Sequence, residues 1–221
     1  MKATPEEKRR DQIIAKLGDL AKSQEDRVLL AQVITALDAK YDLYQKAARE
    51  PGVEGIITQM LGRIGNAFGR FSNVKGKRIL DIACGSNTSK APTSLRIPTP
   101  FGKIEIGRAT SGYTAQFEPW FCRILLELGA HPVGVDLGDL EREAFEHYRV
   151  DLGQRGALGF LPGHSFAAVQ DSRLFGSPEF TFQFPHSADR SDVAQEIRRQ
   201  ERRLLRPDGI LIHSDAEELL R

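Results

Sequence analysis

From residue 75 onward the chain alternates short apolar runs with helical stripes, and that alternation is what most limits its fold. Arg78-Ile-Leu-Asp-Ile-Ala83 follows Lys75-Gly76-Lys77 and runs into Cys84-Gly85-Ser86-Asn87. An apolar run closed by a turn reads as a parallel strand buried on both faces. His131–Asp136 is a second such run, reached through a helix at 118–128 whose Phe121, Leu125 and Leu128 share a face and which Gly129 stops. A helix at Leu140–His147 leads to a third strand, Tyr148–Leu152, and Ser165–Gln170 makes a fourth. A helix at Ser191–Leu205, with Asp192 and Gln195 spaced as a capping box, precedes the turn Arg206-Pro-Asp-Gly209 and a fifth strand, Ile210–Ser214. Such a pattern builds a parallel sheet covered on both faces, whose ligands bind beyond the strand carboxyl ends where strand order reverses. Asp81, Gly85, Asp136, Asp151 and Gln170 to Arg173 lie at those ends.

The first seventy residues carry helical stripes only. Pro5 opens a helix with Ile13, Ile14 and Leu17 at helical spacing, and a longer one runs from Gln24 to Arg49 along Leu30, Val33, Leu37, Tyr41, Tyr44 and Ala48. Pro51-Gly52 ends it, and Ile57, Met60, Leu61, Ile64, Phe68 and Phe71 mark a third helix. The chain thus divides into an N-terminal helical cap, 1–72, and an α/β domain, 73–221.

Composition bears on partners. The net charge is +1, from 31 basic against 30 acidic residues, so the basic surplus of a nucleic-acid binder is absent. Arg198, Arg199, Arg202, Arg203 and Arg206 cluster but interleave with Glu196 and Glu201, as on a solvated helix face. Two cysteines, Cys84 and Cys122, form neither a disulfide framework nor a zinc spacing and read as reduced, buried thiols. No stretch reaches the ~20 apolar residues of a membrane helix, and the N-terminus lacks a signal-peptide core, so the expectation is a cytoplasmic protein with no membrane partner and no bound metal.

Arg78 to Asn87, Val133 to Asp136, Val150 to Leu152 and Arg206 to Gly209 together resemble the class I S-adenosylmethionine-dependent methyltransferases. The resemblance covers about Lys75 to Ser214 and rests on the ordered set. It implies a Rossmann-like, doubly wound, mostly parallel α/β sheet of about five strands in order 3-2-1-4-5, with an N-terminal helical extension. It implies S-adenosyl-L-methionine as cofactor, with Asp81 and Gly85 at the first strand's end, Asp136 on the ribose hydroxyls and Asp151 near the adenine amino group. Ala83, Ser86, Asn87, Leu137, Leu152 and Gln170 complete the implied cofactor contacts. A glycine leaving a strand lets backbone approach a ligand, and a carboxylate facing vicinal hydroxyls accepts charge-assisted bonds. Each residue also has a structural reading: Asp81 as a turn stabiliser, Asp136 as a helix cap, Asp151 as a strand exit, Cys84 as a packing residue without an activating base.

Departures from the family pattern are as instructive. Ala83 and Asn87 stand where glycines are usual, the fourth strand carries Ala167 after Phe166, and no Asn-Pro-Pro-Tyr or Pro-Cys pair follows it. The absence of the first motif argues against amino-base methylation and that of the second against cytosine-carbon methylation. The sheet ends at a fifth strand, whose apolar edge calls for cover by the N-terminal helices or by a second protomer, as in a homodimer. An insertion, 88–117, separates the loop from its helix; Leu95, Ile97, Ile104 and Ile106 around Pro98-Thr-Pro-Phe-Gly102 read as a β-hairpin. Substrate candidates are Tyr113 and Trp120 beside it, with Asp171 and Arg173 after the fourth strand; His164, His186 and His213 are candidate bases. The acceptor is a small molecule or a protein side chain, its catalytic residue unidentified. Two rivals remain. A nicotinamide dehydrogenase needs G-x-G-x-x-G, and Cys84-Gly-Ser-Asn-Thr-Ser89 lacks two of those glycines. A methyltransferase-like binding or regulatory module would keep the pocket without turnover.

Overall fold

The computed structural model describes residues 5–18, 20–50, 52–86, 94–99, 102–107, 115–171, 174–175, 180 and 183–212. Four N-terminal helices come first: α1 (Pro5–Gly18), α2 (Gln24–Tyr41), α3 (Leu43–Arg49) and α4 (Gly52–Phe68). Ser23 caps α2, its hydroxyl oxygen accepting from Asp26 N at 3.1 Å, and the buried Asp26 carboxylate reaches on to Phe71 N at 3.3 Å. The single helix expected over Gln24–Arg49 is two. Asp42 takes a left-handed conformation, φ 54°, which Asp tolerates better than most residues, and the Asp38 carboxylate receives Tyr44 N at 2.9 Å to start α3.

Five strands form one parallel sheet: β1 (Arg78–Ile82), β4 (His131–Asp136), β5 (Glu146–Arg149), β6 (Phe166–Asp171) and β7 (Leu205–Ile212). Their order is β5-β4-β1-β6-β7, the 3-2-1-4-5 order expected from the sequence. The short strands β2 (Ser94–Thr99) and β3 (Gly102–Gly107) pair antiparallel with Leu95 opposite Ile106 and Ile97 opposite Ile104, the expected hairpin. Helices α5 (Trp120–Glu127) and α6 (Ser187–Leu204) complete the fold. Among the described residues no helix is long and apolar enough to cross a membrane.

Side chains alternate across each strand, so β1 feeds two cores. Ile79 joins Leu37, Ile57, Leu61 and Ile64 of the N-terminal helices, Ile124 of α5 and Ile212 of β7 in one apolar cluster. Leu80 and Ile82 join Val133, Val135 and Val169 under Ile197 and Leu204 of α6 in the other. The two faces of a Rossmann-like sheet are thus both clothed. Ile212 is buried and Ile210 packs partly buried against the first cluster, so the N-terminal helices meet one face of β7.

Two further elements of the sheet region differ from expectation. Leu140–His147 is not a helix: turns span it, and β5 begins at Glu146 rather than Tyr148. Tertiary contacts outweigh helical periodicity there, because Leu140 and Phe145 are drawn inward beside Cys84 and Cys122 and Glu143 bonds the buried Arg123. In β7, Leu205 pairs with Phe166 and Ile210 with Ala168, so Arg206–Gly209 loops out of the strand, the turn falling inside it rather than before it.

Candidate functional site

The carboxyl edge of the sheet is built around the exit from β1. Ile82 lies opposite Val135 on one side and Asp171 on the other. Cys84 N donates to Val135 O at 3.1 Å, carrying the ladder past the strand. Ala83 and Gly85 then take positive φ, 57° and 93°, and the chain turns back on itself. Asp136, at the end of β4, holds this turn: its Oδ2 accepts from Gly85 N at 2.9 Å, and its Oδ1 from Gly138 N at 2.8 Å. Ser86 N donates to Phe117 O at 3.0 Å, closing the base of the 88–117 insertion. A Cβ on Gly85 would lie 2.1 Å from that same carbonyl oxygen. The glycine is therefore demanded by the close approach of Phe117, before any ligand is considered. Leu137 and Phe117 stand 43% exposed on either flank of the turn, an apolar rim on a polar edge.

Asp151 follows β5 at the neighbouring strand end. Its carboxylate accepts from Gly153 N at 3.0 Å and from Gln154 Nε2 at 3.3 Å, a local turn of the kind Asp side chains favour. Beyond it a groove of about 540 Å3 opens between Leu152–Gln154 and the Asp192, Gln195 and Glu196 side of α6. The Glu196 carboxyl is held down at about 2, chiefly by the Arg199 guanidinium and then by the Gln200 amide.

Other expected site residues point inward. Asp81 is fully buried, with Cys122 Sγ donating to its Oδ2 at 3.7 Å. Gln170 and Asp171 are 0% and 1% exposed. Trp120, expected beside an acceptor, is completely enclosed; its Nε1 donates to Ala115 O at 2.7 Å, and Tyr41 meets it edge-on. Ser86 is 1% exposed, its side chain lodged where a Cβ of Gly138 would sit. Asn87, Tyr113, Arg173 and His213 lie outside the described residues. His164 precedes β6, at the amino edge, with Nδ1 2.9 Å from Leu205 O, far from where ligands of such sheets bind. His186 precedes α6 as its cap residue.

The sequence reading missed a buried ion cluster behind this edge. Arg123 of α5, 3% exposed, donates from Nη2 to Glu143 at 2.6 Å and from Nε at 3.1 Å, and pairs as well with Glu118. Lys46 reaches Glu118 at 2.7 Å, and the guanidinium stacks 4.0 Å from the Tyr41 ring centroid and 4.9 Å from that of Trp120. Burial, the largest single effect, works against the Arg123 charge, yet the carboxylates of Glu143 and Glu118 outweigh it and raise its pKa. Glu118 adjoins Phe117 and Glu143 sits in the β4–β5 connection, so one cation ties both loops that border the turn. An arginine inside the apolar run Trp120-Phe-Cys-Arg-Ile-Leu125 was the available signal, since a charge there must find partners.

No family model, no curated protein and no solved structure matches the chain.

Proposed function

We propose that the carboxyl edge of the sheet binds S-adenosylmethionine and that the chain transfers its methyl group to a small-molecule or protein acceptor. One observation carries the reading: Asp136, ending the strand beside β1, holds the glycine turn that leaves β1, Gly85 N to Oδ2 at 2.9 Å. Each of its oxygens accepts one backbone amide, and a carboxylate oxygen can accept more than one hydrogen bond, which is the chemistry a ribose hydroxyl requires. The exposed Leu137 beside it offers apolar surface to a purine face. Leu152 and Gly153, directly after Asp151, line a groove beyond the next strand end, which would give the base somewhere to lie. The fit is poorer at Asp81, whose side chain is enclosed, and at Gly85, whose missing Cβ makes room for Phe117.

S-adenosylmethionine supplies an electrophilic methyl on a sulfonium when bound. The chain's part is to bind, orient and hold the edge dry, and positioning alone can account for a large share of such a rate. A second reading, a binding module without transfer, draws on the burial of Trp120 and Asp171: neither side chain presents surface to an acceptor. Consumption of labelled cofactor with transfer of label to an acceptor in cell extract separates the two.

Titration calorimetry tests the site. Wild type should bind S-adenosylmethionine, and Asp136→Ala should weaken it roughly ten- to a hundredfold, the loss of one or two charged hydrogen bonds. A thermal melt run alongside reads the separate cost of releasing the Gly85 and Gly138 amides. Equal affinity in the two proteins, or no binding by wild type, overturns the assignment.

A further inference from the structure

The chain has two cysteines, 84 and 122, and the fold brings them together. Cys84 leaves β1 and Cys122 sits in α5, yet both belong to one small buried cluster with Leu140 and Phe145. Their sulfurs crowd the same glycine: a Cβ on Gly134, in the middle of β4, would lie 2.8 Å from Cys84 Sγ and 3.4 Å from Cys122 Sγ. Glycine inside a strand ordinarily weakens it and marks a close approach. Here the approach is that of the two sulfurs and the Phe145 ring. Each thiol donates to the candidate edge, Cys84 Sγ to Gly85 O at 3.4 Å and Cys122 Sγ to Asp81 Oδ2 at 3.7 Å.

We propose that Cys84 and Cys122 form an intramolecular, reversible disulfide, a redox modification site directly beneath the Ala83–Ser86 turn. The oxidant is hydrogen peroxide. One sulfur attacks the peroxide oxygen, the O–O bond breaks and water leaves, giving a sulfenic acid. The second sulfur displaces a further water from it and the S–S bond forms. The two thiols together lose two electrons and two protons; the peroxide gains them as two waters. A dithiol reductant reverses the step by exchange.

Burial sets the rate. It raises both thiol pKa values, with Cys122 pushed up to about 11, and the thiolate is the reacting form. The closed pair is consequently slow, and oxidation requires the turn to open. Once formed, the bond is shielded from reductant by the same burial. It also removes the Cys84 donation to Gly85 O and the Cys122 donation to Asp81, so the oxidised turn differs from the reduced one.

The test uses the whole protein. Hydrogen peroxide is added to the folded, reduced chain, free thiols are alkylated in denaturant, and intact mass is read. The expected result is joint loss of both alkylation sites with a mass two hydrogens lower, in a monomer, restored by dithiothreitol. Cys122→Ala should instead take up oxygen at Cys84 or remain a free thiol, without that two-hydrogen loss. Two alkylatable thiols persisting after peroxide treatment, both in buffer and in urea just below the unfolding transition, overturn the proposal. So do sulfinic acid on separate cysteines or a disulfide between chains.

Discussion

Arg123 shows how one residue can set the shape of an edge it never reaches. Its guanidinium is enclosed with two carboxylates and two aromatic rings. Removing one member of a buried ionic group costs far more than the group contributes as a whole, because it strands the others. Arg123→Met should therefore destabilise the protein by about 3–5 kcal/mol at neutral pH, measured by urea denaturation. A loss below about 1 kcal/mol would mean that Glu118 and Glu143 find water or other partners, contrary to their burial. At this scale the sequence was readable in part. It marked Asp136 as a strand-end acid. It did not reveal that the carboxylate holds Gly85 N, because the two residues are 51 positions apart and only the β1–β4 register brings them together. The meeting of Cys84 and Cys122 was hidden for the same reason.

Among the elements, strands were legible and one connection was not. The apolar runs that became β1, β4 and β6 are buried on both faces, and a run with no polar alternation has few other ways to fold. Leu140–His147 has a helical spacing of apolar residues, but eight residues make a marginal helix. Burial of Leu140 and Phe145 and the Glu143–Arg123 pair decided the outcome. Helix α6 begins at Ser187 rather than Ser191, an error of one turn of the sort helix ends invite. This helix carries a pH prediction. The folded Glu196 carboxyl sits at about 2 against an ordinary 4.5, held down first by Arg199. Its contribution is thus fully present above about pH 4.5 and is lost as pH falls toward 2. The melting temperature of wild type should exceed that of Glu196→Gln at pH 6, with the gap closing by pH 2 and shrinking in high salt. A gap independent of pH would show that the Glu196–Arg199 pair adds no charge-dependent stability.

For the whole molecule, the N-terminal helices and one face of the sheet share an apolar cluster from Ile13 to Ile212, while α6 closes the other face. The proposed site then concentrates at one end, where three neighbouring strands, β1, β4 and β5, lead into or end at Gly85, Asp136 and Asp151. Hydrogen exchange with and without saturating S-adenosylmethionine tests that placement most directly. The account predicts slower exchange across Ala83–Ser86, Asp136–Gly138 and Asp151–Gly153, with little change in α1 to α4. Unchanged exchange at all three strand ends under saturating cofactor, or protection confined to the N-terminal helices, would contradict it.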